Sequence, residues 1–203
     1  SGFAEEKLLL PILGFLGSNA VSHFLKFLNP TIEFQTGDIR KLPIPSNILE
    51  DERSKFQILV KGLVDVSKKD WDSLERSWDF KVDKLVESTN LITDKTKIKS
   101  CWLNYLEEIN NISKNTLSQE RELNQYLARG FDLEELPTNV NKDQVTLLSN
   151  PDYRYPSKLS LEDKENRFKS DCFIELLSYS IGCMMGRYSL DREGLVYANS
   201  NNE

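Results

Sequence analysis

IKSCWLNYLEEINNISKNTLSQERELNQY, residues 98–126, decides the fold. Ile98, Trp102, Tyr105, Ile109, Ile112, Thr116, Gln119, Leu123 and Tyr126 recur at alternating spacings of four and three. That is the a/d seam of a helix running for about four heptads, with polar interruptions at Thr116 and Gln119. Gly130 is the expected stop, because glycine readily takes the left-handed conformation that closes a helix. A rigid helix of about thirty residues spans some 45 Å, enough to fix the distance between two parts of a larger protein.

Upstream, Pro45 and Ser46 open a second long helical region, with Ser46 as N-cap and Glu50 to Glu52 near the positive helix end. Phe56, Leu59, Val60, Leu63 and Val64 share one apolar face. The pattern loses phase between Ser67 and Asp70, so a break is expected there before Trp71, Leu74 and Trp78 continue the face. Nearer the N-terminus, Leu8 to Leu13 is an apolar run interrupted by Pro11 and reads as a strand. Ala20, Val21, Phe24, Leu25 and Leu28 then recur at helical spacing until Asn29 and Pro30. Ile32 and Phe34 alternate like a short strand, and Gly37 with Asp38 predicts a turn of a small hairpin-like element.

Downstream, Pro137, Thr138, Asn139 and Asn141 form a linker, Val145 to Leu148 a short apolar run, and Asn150 to Pro156 a turn-rich loop. A last helix starts near Leu161. Phe168, Cys172, Leu176, Tyr179 and Cys183 share a face that Phe173, Leu177, Ile181 and Met184 widen, and so broad an apolar surface calls for burial on most sides. Gly182 and Gly186, four apart, allow another backbone to approach closely. The expected fold is mainly α, with long helices in a bundle or antiparallel coiled-coil spacer and a few short strands near the N-terminus. Three segments are delimited: 1–45, which the resemblance described below implies to be the end of a recognition-like domain; 46–136, a long-helix spacer; and 137–203, a C-terminal loop and docking helix.

At 203 residues, 39% hydrophobic and 29% charged, the chain can bury a substantial core and suits long solvated helices. The longest apolar run, Phe173 to Met185, is interrupted by Glu175 and too short to cross a bilayer, so no membrane partner is expected. No basic, apolar and small-residue sequence marks the N-terminus for export. Cys101, Cys172 and Cys183 lack metal-type spacing and read as reduced, mostly buried, cytoplasmic thiols. A net charge of −6 disfavours a free-standing nucleic-acid-binding domain, so any DNA contact is local. Basic residues gather at Arg40 with Lys41, at Lys95, Lys97 and Lys99, and at Arg154, and the simpler reading of these is a solvated surface.

Asn150, Pro151, Asp152 and Tyr153 invite comparison with the catalytic loop of amino-methyltransferases: Asn or Asp, two prolines, then an aromatic. Those residue types hold a flipped adenine by its amino group and by stacking. Here Asp152 replaces the second proline, and no glycine-rich turn after a strand precedes it to cradle a methyl donor. A turn is the favoured reading. His23 has no cysteine or carboxylate at ligand spacing and predicts no metal site. Ser178 and Ser180 lack a nucleophile elbow and a further histidine, which excludes a hydrolytic triad. Trp71 and Trp78 could stack bases, but aromatics at helical spacing are expected in the core. Glu107 with Glu108 and Glu134 with Glu135 read as solvated charge. No catalytic, cofactor-binding or metal-binding residue is assigned.

Three separated segments carry a family resemblance. The first is Asn29, Pro30, Thr31, Phe34, Gly37, Asp38, Ile39, Leu42, Pro43, Ile44 and Pro45, similar to the exit from a target-recognition domain and to specificity subunits of restriction-modification enzymes, where a long helix follows. The second is Trp71, Glu75, Ser77, Trp78, Asp79 and Phe80. The third runs from Leu177 through Gly186, Arg187, Tyr188 and Asp191. Together they resemble the C-terminal region of the large adenine-specific DNA methyltransferases of bacterial phage defence, the PglX family of BREX.

The resemblance implies a parent enzyme that transfers a methyl group from S-adenosylmethionine to adenine N6 in DNA, with its catalytic domain elsewhere. This chain is then itself inactive and needs no cofactor, and it serves DNA recognition and domain spacing. Its implied partners are DNA through the parent, the catalytic domain and other defence-system proteins. Arg40 and Lys41 are the candidate phosphate contacts, followed by Arg154 and Arg187. The alternative is a helical interaction module that docks another defence-system component through its final apolar helix.

Overall fold

The computed structural model describes residues 5–30, 33–48, 55–89, 98–133 and 135–196. Among these residues there are eight α-helices and no strand: α1 (Glu6–Leu16), α2 (Asn19–Leu28), α3 (Thr36–Ile39), α4 (Lys55–Asp72), α5 (Lys84–Thr89), α6 (Ile98–Phe131), α7 (Pro151–Arg154) and α8 (Leu161–Met184). The mainly α expectation holds, without the short N-terminal strands. Contacts divide the chain into two compact units, Ser1–Val66 with Asn115–Asn141, and Ser67–Lys114 with Lys142–Glu203.

In the first unit, Leu8 to Leu13 belongs to α1 rather than to a strand. Pro11 removes one helical hydrogen bond, at a cost of about 3 kcal/mol in an ordinary helix interior. It is tolerated because Pro11, Gly14 and Phe15 form a buried helical face. A Cβ on Gly14 would strike the Val60 side chain and lie 3.1 Å from the Phe56 ring, so α1 approaches α4 closely only with glycine there. Ser18 caps α2, its hydroxyl accepting from the Val21 N–H and donating to the Phe15 carbonyl. Phe15, Val21, Leu25, Ile48, Phe56, Val60, Leu123 and Leu127 fill the core. Within this unit α4 and α6 run antiparallel: Lys55 pairs with Glu122, Phe56 meets Tyr126 with ring centroids 5.5 Å apart, and Gly62 faces Gln119.

Two further expectations change here. Gly37 and Asp38 lie in α3 and make no hairpin turn, and Ile32 lies outside the described residues. Ser46 begins a single 3-10 turn, Ser46–Ile48, while Glu50 to Glu52 also lie outside the described residues. Gly130 does not end α6. The helix continues to Phe131, and Asp132, at φ 54°, takes the left-handed position. The Leu133 N–H then reaches the Ala128 carbonyl and the Asp132 N–H that of Arg129, a Schellman closure with aspartate where glycine is usual.

In the second unit, Leu85, Trp102, Tyr105, Ile109, Phe168 and Cys172 form one cluster and Phe80, Tyr179 and Tyr188 another. The expected break at Ser67 to Asp70 is absent, and α4 runs through to Asp72. The loss of phase marks a change of task. Asp70 stops packing and accepts the backbone N–H groups of Leu148 and Ser149 at 2.6 and 3.0 Å. Ser160 caps α8 through the Asp163 N–H. The helix closes on Gly186, at φ 75°, by the same Schellman pair, Arg187 N–H to the Gly182 carbonyl and Gly186 N–H to that of Cys183. The α8 surface is not buried all round: Ile174, Leu177, Ile181, Met184 and Met185 are exposed. No single helix among the described residues is long and apolar enough to cross a membrane.

Candidate functional site

Arg40 and Lys41 follow a locally pinned segment in the first unit. The Asn29 amide donates to the Asp38 carboxylate at 2.9 Å and to the Glu33 carbonyl, and Asp38 also accepts the Gln35 N–H. The Asn29 hydrogen bond, then that of Gln35, lowers the Asp38 pKa below its ordinary value. Leu42 and Pro45 are buried and anchor the Leu-Pro-Ile-Pro run. Arg40 is exposed, and Lys41, with 65% of its side chain exposed, lies 3.8 Å from Asp38. Two cations thus stand in solvent on a braced turn.

The second unit brings together two of the segments singled out in the sequence. Glu75 accepts hydrogen bonds from the hydroxyls of Ser178 and Tyr188, at 2.8 and 3.0 Å, and pairs with Arg187 at 3.4 Å. Phe80 packs edge-on against Tyr179 and Tyr188, and the Gly194 N–H donates to the Lys81 carbonyl. Burial, then the Glu75 hydrogen bond, pushes the Tyr188 hydroxyl up to about 12. Gly182 permits this closure, since a Cβ there would come within 2.6 Å of the Tyr188 ring. The close approach allowed by Gly182 is therefore taken by an aromatic ring. An open cleft of about 410 Å³ lies beside Glu75, Ser178, Ile181 and Arg187.

Arg154 is an internal cation. Its guanidinium reaches Asp171 at 3.0 Å and Glu175 at 3.3 Å and lies over the Tyr155 and Phe168 rings. Glu175 also neutralises Lys84, whose side chain is only 5% exposed, and Tyr155 donates to Asp171 at 2.7 Å. Arg187, by contrast, keeps 56% of its side chain exposed beside Glu75. Nothing in the sequence flagged Lys84 or Asp171, and Glu175 stood out only as an interruption of an apolar run, because their pairings join positions far apart in the chain.

Asn150 is buried and fully engaged. Its side-chain oxygen caps α7 through the Asp152 N–H, and its amide donates to the carbonyls of Lys142 and Val145. That is the chemistry of a turn, with no amide group left to hold a base. Lys164 pairs with Asp152 at 3.1 Å. His23 lies edge-on to Phe27, and among the described residues no cluster of His, Cys, Asp and Glu could hold a metal ion. Cys101 and Cys172 are buried free thiols, and burial raises Cys172 to about 12, leaving it unreactive. Trp71 and Trp78 are not core: Trp71 is 46% exposed with Arg76 stacked 4.7 Å over its ring, and Trp78 is wholly exposed. The core expectation followed helical spacing, but the helix ends at Asp72, before Trp78.

No family model matches the chain. Over 98% of its length it is 36% identical to the adenine-specific methyltransferase BrxX of Escherichia coli O9:H4 (strain HS). Over 99% of its length it is 28% identical to the adenine-specific methyltransferase PglX of Lacticaseibacillus casei (strain Zhang). The chain spans about 15% of the length of each of these relatives. Over nearly all its residues, then, the chain is homologous to the BrxX and PglX adenine-specific methyltransferases.

Proposed function

We propose that this chain is the non-catalytic C-terminal part of an N6-adenine-specific DNA methyltransferase of a phage-defence system, acting in the cytoplasm to support DNA recognition and to space domains. The observation that carries this reading is similarity to BrxX over 98% of the chain but only 15% of that relative. In it, residues 1–45 end a recognition domain, 46–136 act as the spacer, and 137–203 dock.

S-adenosylmethionine, the methyl donor of such an enzyme, does not fit the residues present. The cleft beside Arg154 is lined by Leu74, Glu75, Arg76, Leu148, Arg154 and Glu175, and Arg154 there already pairs with Glu175. The described residues offer no strand with a glycine-rich turn to receive the donor. In this reading methyl transfer belongs to the rest of the parent enzyme.

DNA contact rests first on Arg40 and Lys41, which are exposed on a braced turn, then on Arg187. It rests least on Arg154, whose guanidinium is held internally. Phosphate contacts of this kind position a protein on DNA without reading sequence. The test is duplex binding by the chain and by Arg40→Ala plus Lys41→Ala over a series of salt concentrations.

A second reading, docking of another defence-system protein, is favoured by the outer face of α8. Its exposed residues between Ile174 and Met185 are Ile174, Leu177, Ser178, Ser180, Ile181, Met184 and Met185, with no charge among them. Uncharged exposed faces of this kind mark interaction surfaces. Ile181→Asp that unfolds at the wild-type temperature yet loses binding to a purified component of the same defence system would support docking. Unaltered binding would remove it.

A further inference from the structure

Trp78 is wholly exposed, yet the residues on either side of it are fixed. The Ser77 hydroxyl donates to Asp72 at 2.7 Å and accepts the Asp79 N–H, Lys68 holds the Asp79 carboxylate at 2.7 Å, and Phe80 is buried against Tyr179 and Tyr188. An indole left in water forfeits about 2 kcal/mol of burial, and here it is presented from a pinned turn. Trp71, also exposed, carries the Arg76 guanidinium on its face.

The charges around these rings are unevenly used. Asp70 is taken up by backbone N–H groups, Asp72 and Asp79 by Lys68 and Ser77, and Glu75 by Ser178, Tyr188 and Arg187. Lys81 is held by Glu193. Arg76 is exposed and has no carboxylate partner among the described residues. The segment thus presents one open indole, that of Trp78, and a guanidinium that rests on Trp71 without a carboxylate partner among the described residues, while its carboxylates are engaged.

We infer that Trp78, with Arg76, is a stacking site for an unpaired base of DNA, the base lying on the indole and its phosphate on the guanidinium. Stacking on aromatic side chains tolerates any base and is the means by which proteins hold single-stranded or extruded nucleotides. Trp78 has no apolar neighbour in sequence, being flanked by Arg76, Ser77 and Asp79, and a protein occupant is an outcome that the test below separates from a base. The inference rests on the reading that this chain works on DNA, and adds a contact separate from Arg40 and Lys41.

The test is tryptophan fluorescence of the 203-residue chain titrated with oligothymidylate, and with inorganic polyphosphate as a polyanion without bases. Trp102 is buried, which leaves Trp78 and Trp71 as the reporters. Oligothymidylate quenches and polyphosphate does not; Trp78→Ala removes most of the quenching and weakens binding about tenfold. Arg76→Ala weakens binding and leaves the quenching at saturation. Absence of quenching, equal quenching by polyphosphate, or quenching unchanged in Trp78→Ala overturns the inference. So does shielding of Trp78 from acrylamide by a purified protein component of the defence system but not by oligothymidylate. Arg40→Ala plus Lys41→Ala keeps the failures apart: if duplex binding ignores that pair while Trp78 is still quenched, the Arg40 assignment falls and the stacking site stands.

Discussion

The Tyr188 hydroxyl donates a 3.0 Å hydrogen bond to Glu75 across 113 residues of sequence. This bond ties the turn after α4 to the segment after α8, with Ser178 and Arg187 converging on the same carboxylate. Tyr188→Phe removes one donor and is expected to cost about 1 kcal/mol. Glu75→Ala strands several donors and is expected to cost about 2 kcal/mol. Urea denaturation of both single variants and the double variant should give a coupling of about 1 kcal/mol. Strictly additive losses would mean that the bond does not form in solution.

Gly182 and Gly186 are both needed, for different reasons. Gly182→Ala sets a methyl group against the Tyr188 ring and is expected to destabilise by about 1–3 kcal/mol. Gly186→Ala has open space around it but forces alanine into positive φ, at about 1–2 kcal/mol. Combining each with Tyr188→Ala separates them. The Gly182 penalty should largely vanish in that background, and the Gly186 penalty should persist.

Lys84 is buried and depends on Glu175 for neutralisation. Glu175→Ala should cost about 3 kcal/mol, since removing one member of a buried pair leaves the other uncompensated. Replacing both, Lys84→Met with Glu175→Leu, should restore much of the loss in chemical denaturation. A double variant no more stable than Glu175→Ala would show that desolvated charge is not the cause.

Burial alone raises the Glu120 pKa from 4.5 to about 7. The folded state therefore binds the proton more tightly than the unfolded chain. Its contribution is fully present below pH 4.5 and is lost as pH rises through about 7. Glu120→Gln should raise the melting temperature at pH 8 relative to wild type, leave it nearly unchanged at pH 4, and flatten the profile between. Equal effects at both pH values would exclude titration of Glu120 as the source.

Local order determined what the sequence disclosed. The four-three spacing from Ile98 to Tyr126 and the apolar face from Phe168 to Cys183 located α6 and α8, because both signals lie within the element they specify. Pro11 misled: a proline inside an apolar run reads as a breaker, and only packing of Gly14 against Val60 and Phe56 shows why the helix survives. Trp78 misled in the opposite sense, its spacing from Trp71 continuing a helix that ends at Asp72. The resemblance singled out Glu75 and Tyr188 without indicating that they touch. Arg154 looked like a surface cation because Asp171 and Glu175, which hold it, share no local pattern with it.

The most direct measurement is the salt dependence of duplex DNA binding, followed by fluorescence anisotropy, for the wild-type chain and Arg40→Ala plus Lys41→Ala. Each phosphate contact contributes about 0.9 to the slope of log K against log salt concentration. The predicted result is weak, salt-sensitive binding by the wild type, with a slope shallower by about 2 and lower affinity in the double variant. Identical slopes and affinities in the two proteins would contradict a role for this chain in holding DNA through Arg40 and Lys41.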